Sequence, residues 1–169
     1  MFGPTLIKDC SGSLEGFIKI MNREVPGLPA GLVVPCVDVR DVAEAHVRAL
    51  VSERSLNGER IPVSKASYLM AEEIAEILRG EFEEYGYRVQ TRRVGYWILK
   101  LASYFDNQVK IVLPMIGINL TFSNKLSKEL LGMTYDKYSF KDTLIETGYS
   151  LIKQGLIRNL LPNTTSKTD

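Results

Sequence analysis

The chain has 169 residues, of which 45% are apolar, so it is long and apolar enough for one domain with a hydrophobic core, and complete disorder is excluded. Its 21 basic and 20 acidic residues leave a net charge of +1, which gives no overall field for nucleic acid or an anionic membrane. We therefore expect no nucleic-acid partner, and other partners have to be argued from local sites.

The N-terminal stretch "MFGPTL" is typical of a strand that ends in a loop, because Gly3 permits unusual φ values and Pro4 lacks the N–H that a strand donates. A helix is predicted next, capped by Ser11 or Ser13 and ended by a turn over residues 26–29. Its apolar positions are Leu14, Phe17, Ile18 and Met21.

The run "GLVVPCVDV" predicts a short strand, which Pro35 places at a sheet edge. Asp41 then stands where a helix cap belongs, ahead of the helical pattern "VAEAHVRALVSE". The residues expected on the buried face of this helix are Val42, Ala43, His46, Val47 and Leu50.

A turn at residues 57–58 and an extended "ERIPVS" precede a long amphipathic helix, "YLMAEEIAEILRGEFEEYG", which is expected to begin just after Ser67. "YRVQTRRV" is expected to be extended. The apolar stretch 97–120 is too often interrupted for a transmembrane helix, so two short helices around a turn are predicted. Association with a membrane surface is the less favoured alternative, through Trp97, Ile98, Leu101 and Tyr104.

"INLTFSN" is expected to be extended, "KLSKELLG" to be a helix ended by Gly132, and "SFKDTLIETGYSLIKQGLI" to be the last helix. Alternating strands and helices indicate an α/β fold. Only two or three strands have a parallel context, so we expect a sheet that lacks most of its strands and self-association through its uncovered edge.

Stretches in matching order and spacing carry a resemblance to a known family: "MFGPTL", "VDVRDVAEAHVRAL", "NGERIPVSKASYLMAEEIAEIL", "TFSNKLSKELLGM" and "SFKDTLIETGYSLI". They resemble extended short-chain dehydrogenases/reductases of the NAD-dependent epimerase/dehydratase family, and most of all its dihydroflavonol 4-reductase-like members. The resemblance implies the C-terminal part of a Rossmann-type fold, with few strands and a mostly helical substrate-binding lobe, over residues 1–160. A polar tail is expected over residues 161–169.

The same resemblance implies a set of site residues. "MFGP" matches the last four positions of a Pro-x-x-Val-x-Gly-Pro segment beside the nicotinamide of NADP or NAD, with Met1 in place of the Val. Ser13 is implied to touch the cofactor, with a helix cap as the alternative. Leu14, Phe17 and Ile20 are candidates for lining the substrate pocket, with core packing as the equal alternative.

The sequence contains neither the glycine-rich phosphate loop nor the family's Tyr-x-x-x-Lys pair before the Gly-Pro segment. Tyr149 and Lys153 have the same spacing but lie on the last helix, where such a pair arises by chance. We therefore predict no catalytic residue in this chain, and expect a fragment, an alternative product or an incomplete gene model.

The other titratable candidates have structural interpretations. His46 is expected to be a buried, hydrogen-bonded core histidine, Asp38 a loop acceptor, and Arg40 a local partner of Asp38 or Asp41. Cys10 and Cys36 lack the spacing of a metal site, so no metal ligation is predicted, and reduced thiols without a visible signal peptide indicate a cytoplasmic protein.

The predicted function is that of the substrate-binding half of an NAD(P)-dependent oxidoreductase acting on a small-molecule carbonyl or alcohol. Residues 26–37 contain no Arg or Lys, which disfavours the alternative of a nucleotide-sugar epimerase or dehydratase. A second alternative is a noncatalytic remnant or binding module that pairs with another chain.

Overall fold

The computed structural model describes residues 1–8, 12–53, 56, 58–105 and 107–161. Cys10, Ser11 and residues 162–169 of the predicted tail lie outside these ranges. The described chain is a mixed α/β structure in which helices predominate and the strands form two small sheets.

The α-helices of the described residues occur at the predicted places. They are α1 (Ser13–Met21), α2 (Val39–Leu50), α3 (Ala75–Phe82), α4 (Tyr96–Ala102), α5 (Asn107–Val112), α6 (Lys125–Leu131) and α7 (Phe140–Lys153). A π-helical turn, Met70–Ile74, leads into α3, and short 3-10 turns follow α3 and α5 at Glu83–Tyr85 and Leu113–Met115. Gly132 ends α6 in a left-handed conformation (φ 63°), as its position predicted.

The strands form two separate pairs. β1 (Leu28–Pro29) runs parallel to β4 (Arg93–Val94), and β2 (Val33–Cys36) runs antiparallel to β3 (Ala66–Leu69). A Cβ on Gly27 would lie 2.1 Å from Val94 Cγ2, so the close approach of β1 to β4 requires glycine there.

Two predictions about extended segments are wrong. β3 lies where the long helix was expected to begin, because Tyr68 stacks on Phe140 with ring centroids 3.4 Å apart and pairs with β2. Residues 28–29, expected in a turn, form β1. "INLTFSN" lies outside the helices and the paired strands of the described residues.

The main core lies between α1, α3 and α7 and centres on Phe82, whose side chain is fully buried. The Phe82 ring meets Tyr149 at 5.0 Å and Tyr87 at 5.7 Å between centroids. A smaller cluster between α2 and α6 contains Ala45, Leu131, Met133 and Tyr135. Helix α7 contributes Leu144, Leu151 and Ile152 to the main core.

The predicted inner face of α2 is wrong, although the helix itself is confirmed. Val47 is 58% exposed and Leu50 is 86% exposed, whereas Asp41 and Ala45 are buried. His46 is exposed as well, with Nδ1 2.8 Å from Val42 O, so it is hydrogen-bonded but is not a core histidine. The side of α2 that carries Asp41 and Ala45 packs against the rest of the protein. Arg48 fixes this orientation by donating to the carbonyls of Leu131 and Gly132 at the end of α6.

Gly148 gives a test of this core. A Cβ at Gly148 would lie 2.5 Å from Phe82 Cζ, so Gly148→Ala should lower the free energy of unfolding by about 1–3 kcal/mol through overpacking. Gly80 is the matched control, because it lies in α3 with open space around its Cα. Gly80→Ala should raise the free energy of unfolding by about 0.5–1 kcal/mol through helix propensity. Urea unfolding measures both, and equal effects would contradict this packing.

Candidate functional site

The N-terminal segment is held in place by the backbone between β2 and α2. The Phe2 N–H donates to Val37 O at 3.0 Å, and the Val39 N–H donates to Phe2 O at 2.7 Å, as in a short parallel bridge. The Phe2 ring is buried and lies 6.1 Å from the ring of Phe17 in α1. Gly3 follows with φ 132°, and a Cβ there would lie 2.6 Å from Val39 Cγ1, so this position requires glycine.

Helix α7 holds the same segment from the other side. The Gly3 N–H donates to Thr147 Oγ1 at 2.7 Å, and the Thr5 N–H donates to Ser150 Oγ at 3.0 Å. The Thr147 hydroxyl donates in turn to Thr143 O at 2.6 Å. The backbone N–H groups of Gly3 and Thr5 would otherwise lack acceptors in the protein. Hydroxyl side chains of α7 supply those acceptors.

Asp38 connects α7 to the start of α2. Its carboxylate caps α2 by accepting the Arg40 N–H at 2.8 Å, and it accepts the Thr143 hydroxyl at 2.6 Å. The Arg40 guanidinium donates to both carboxylate oxygens, at 2.9 and 2.7 Å. Burial favours the neutral acid, but these hydrogen bonds and the charge of Arg40 outweigh it and hold the pKa of Asp38 below its usual range.

The charge of Arg40 is engaged within the chain, by carboxylates and by an aromatic ring. Besides Asp38, it pairs with Glu146 at 2.7 Å and stacks over the Tyr138 ring at 3.7 Å. The predicted local pair of Arg40 with Asp38 is thus confirmed. The group that the sequence analysis missed is the threonine pair Thr143 and Thr147, whose only signal was their four-residue spacing within a buried helix stripe.

The structure corrects the prediction for Asp41. Asp38 is the cap of α2, and Asp41 lies inside the first turn, 1% exposed, with Oδ2 unpaired. Burial raises the pKa of Asp41, and the nearby charge of Asp38 adds to the effect. Two carboxylates three residues apart thus have opposite pKa shifts.

The N-terminal segment walls one side of a cleft, which we call the N-terminal cleft. Its volume is about 550 Å³, and α1 and α2 form the opposite wall. The lining is mostly apolar and includes Met1, Phe2, Pro4, Leu14, Val39 and Ala43. Met1 and Leu14, two of the predicted site residues, therefore share this cleft.

The other predicted site residues lie elsewhere. Phe17 is 2% exposed and belongs to the core, as its packing alternative stated. Ile20 lines a separate apolar pocket of about 170 Å³, which lies between α1, β1 and the α4–α5 segment. Ser13 is exposed in the first turn of α1, whose cap is Gly12, so the helix-cap alternative for Ser13 is wrong.

Two side chains that could act as nucleophiles, Cys36 and Tyr149, have raised pKa values, which disfavour their reactive deprotonated forms. Cys36 is buried, and burial raises the pKa of its thiol to about 12, so little thiolate forms near neutral pH. The Tyr149 hydroxyl donates to Glu81 Oε1 at 2.7 Å, and that carboxylate raises the pKa of Tyr149. Within the described ranges, no three His, Cys, Asp or Glu side chains form a metal-binding group.

No protein-family description matches the chain, and no curated protein matches it. Nine chains of solved structures do match. One of them, the crystal structure of gox2253, has a TM-score of 0.63 and 15% sequence identity over 93% of this chain. The match covers 48% of the gox2253 chain, so the present chain spans about half of that length. At this identity the likeness shows a shared fold only.

None of the described helices has the length and apolarity needed to cross a bilayer.

The opposite pKa shifts of Asp38 and Asp41 predict opposite effects of removing each charge. Asp38→Asn should lower the free energy of unfolding by about 2–3 kcal/mol at pH 7, because it breaks charged hydrogen bonds. The folded-state pKa of Asp38 is depressed, so this contribution exists above the unfolded pKa of about 3.9 and disappears as the pH falls through the folded value.

Asp41→Asn is the matched variant. Because the folded-state pKa of Asp41 is raised, its charge destabilises the fold at pH 7, and the substitution should be neutral or stabilising there. This difference should shrink as the pH falls below the folded pKa of Asp41 and vanish below its unfolded pKa of about 3.9. Urea midpoints measured from pH 3 to pH 7 test both variants, and equal losses at pH 7 would contradict the assignment.

Proposed function

We propose that this chain is the substrate-binding half of an NAD(P)-dependent oxidoreductase, which reduces a carbonyl or oxidises an alcohol by hydride transfer. Its dihydroflavonol 4-reductase-like sequence segments support this, as does a fold shared with about half of a longer chain. The Rossmann-type origin of the fold and the cytoplasmic location belong to the same proposal.

The N-terminal cleft is the observation that carries the proposal. The sequence "MFGP" is held by β-type hydrogen bonds to Val37 and Val39 and by Thr147, and it presents Met1 across from Leu14. A fixed loop beside an apolar wall suits the edge of a flat ring. In the resembling reductases, this segment lies beside the nicotinamide.

The residues present fit only one end of the cofactor. The apolar lining suits the nicotinamide ring, but a pyrophosphate needs free N–H groups at a glycine-rich turn or a free cation. Arg40, the basic side chain of the cleft, is paired with Asp38 and Glu146. The nicotinamide supplies or accepts the hydride when it is bound, and this chain contributes the wall that orients the ring and excludes water.

An apolar substrate fits this half better than a phosphorylated one. The N-terminal cleft and the apolar pocket at Ile20 both have predominantly apolar linings. Lys19 is the basic residue at the pocket and belongs to an ion pair with Glu15 at 2.7 Å. We therefore propose a carbonyl or alcohol of low polarity as the substrate class.

A noncatalytic binding module is the second candidate, because α2 exposes an apolar surface formed by Val47, Leu50 and Val51. Such a surface favours contact with another polypeptide. The genomic sequence preceding the codon for Met1 distinguishes the two functions. A glycine-rich strand–helix unit with a Tyr-x-x-x-Lys pair supports the oxidoreductase, whereas stop codons without such exons support the module.

The chain by itself should bind NADPH weakly or not at all, because the N-terminal cleft has no glycine-rich turn for the phosphates and its Arg40 is paired with Asp38 and Glu146. Isothermal titration calorimetry with NADPH measures this, and tight binding would overturn the proposal that the phosphate site belongs to another half. Turnover of aldehydes and ketones by the chain alone should be undetectable.

In a protein that joins this chain to a nucleotide-binding half, Leu14→Asp should lower kcat/KM at least about tenfold, because it places a charge in the apolar cleft. Ile111→Asp is the control, since Ile111 is 71% exposed and lines neither cavity. The absorbance change that accompanies NADPH oxidation gives both values, and equal losses would count against the cleft.

A further inference from the structure

Most of the large apolar side chains of helix α4 are exposed, and Leu99 is the one that is buried. Leu99 is 7% exposed and packs inward, while Trp97 is 76% exposed and Leu101 is 65% exposed. At about 100° per residue, Leu99 projects opposite Trp97 and Leu101. Leu99 therefore faces the protein, while the larger apolar side of the helix faces solvent. We call the exposed side the aromatic face and define it by Trp97, Ile98, Leu101, Tyr104 and Phe105.

The aromatic face lies in a strongly basic part of a nearly neutral chain. Residues 88–128 contain seven basic side chains and one acidic side chain, Asp106. Six of the basic residues have no carboxylate partner within 4 Å in the described part of the chain: Arg88, Arg92, Arg93, Lys100, Lys110 and Lys128. Lys100 Nζ lies 5.2 Å from the centre of the Trp97 ring, so cationic and aromatic groups adjoin directly.

More apolar surface continues beyond the helix. Ile111, Ile118 and Phe122 are each more than half exposed, and all follow α4 within the same basic stretch. On the inner side, Leu99 of α4 and Val112 of α5 line the apolar pocket that also contains Ile20. The segment thus has an apolar pocket behind it and an apolar, cationic surface in front.

Charge decides between occupants of this surface. A second copy of the chain would bring the same unpaired cations against it, which opposes association. An anionic bilayer supplies phosphates for Arg and Lys and an interfacial zone in which Trp and Tyr side chains are favoured. Since none of the described helices is long enough to span, contact would be confined to one leaflet.

We propose that the α4–α5 segment docks this protein on an anionic lipid surface, with the aromatic face inserted and the basic side chains at the headgroups. Docking in this orientation places the apolar pocket at Ile20 beside the membrane. The proposal does not depend on the oxidoreductase function, because it uses the segment's surface alone.

Trp97 is the single tryptophan of the chain, so its fluorescence reports on the aromatic face directly. The experiment mixes the full chain with phosphatidylcholine vesicles that contain or lack phosphatidylserine, and measures Trp97 emission and co-sedimentation. With phosphatidylserine, the emission should shift to shorter wavelength and the chain should sediment. Vesicles of phosphatidylcholine alone should bind much less, and added salt should weaken binding through screening.

Two double variants separate the contributions while keeping Trp97. Leu101→Ser with Phe105→Ser removes apolar contact, and Lys100→Glu with Lys110→Glu reverses two charges of the α4–α5 segment. Each double variant should weaken vesicle binding roughly tenfold or more. Val47→Ser with Leu50→Ser is the control, because it alters an equally exposed apolar surface on α2 and should leave binding unchanged. Circular dichroism confirms that each variant is folded.

Three outcomes would overturn the proposal. The first is no sedimentation and no spectral shift with phosphatidylserine vesicles. The second is an equal loss of binding in the α2 control, which would indicate nonspecific adsorption. The third is a shift of Trp97 emission that depends on protein concentration without vesicles, which would show that the aromatic face binds a second copy instead.

Discussion

The buried carboxylate of Asp38 is the group on which the N-terminal wall depends. It caps α2, accepts the Thr143 hydroxyl of α7 and binds Arg40 through two hydrogen bonds. A buried charge is tolerated only when its oxygens are satisfied, and here the three partners come from two different helices. Because Thr147, one turn along α7, holds Gly3, the position of the N-terminal segment is coupled to the same carboxylate.

Helices α2 and α4 both place apolar residues outside, and the charged groups on them differ. On α2, the basic residues Arg40 and Arg48 are each paired with a carboxylate. On α4, Lys100 lies 5.2 Å from the centre of the Trp97 ring and has no carboxylate partner within the described residues. An apolar surface whose cations are paired suits a polypeptide, whereas an apolar surface beside an unpaired cation suits anionic lipid. The two surfaces therefore support two different kinds of partner.

The helices could be predicted from periodicity, but the side that each helix buries could not. A period of about 3.6 residues locates α2 and places Val47 and Leu50 on one apolar side of it. The period does not show whether that side packs against the protein or faces solvent. The inner side of α2 is fixed by a contact of Arg48 with residues 131–132, which lie more than 80 positions away in sequence. Strand β1 is similarly defined only by its distant partner β4.

Only part of the candidate site could be predicted from the sequence, because residues on one side of α1 face two different cavities. Leu14 and Ile20 lie on one helix stripe, but six residues at about 100° each leave them roughly 120° apart around α1. That angle is wide enough for Leu14 to face the N-terminal cleft while Ile20 faces the apolar pocket and Phe17 fills the core between them. A stripe that looks like one pocket wall in sequence thus separates two cavities. In the proposed oxidoreductase, a change at Ile20 would alter the core and the pocket that adjoins α4, whereas Leu14 lies on the wall of the N-terminal cleft.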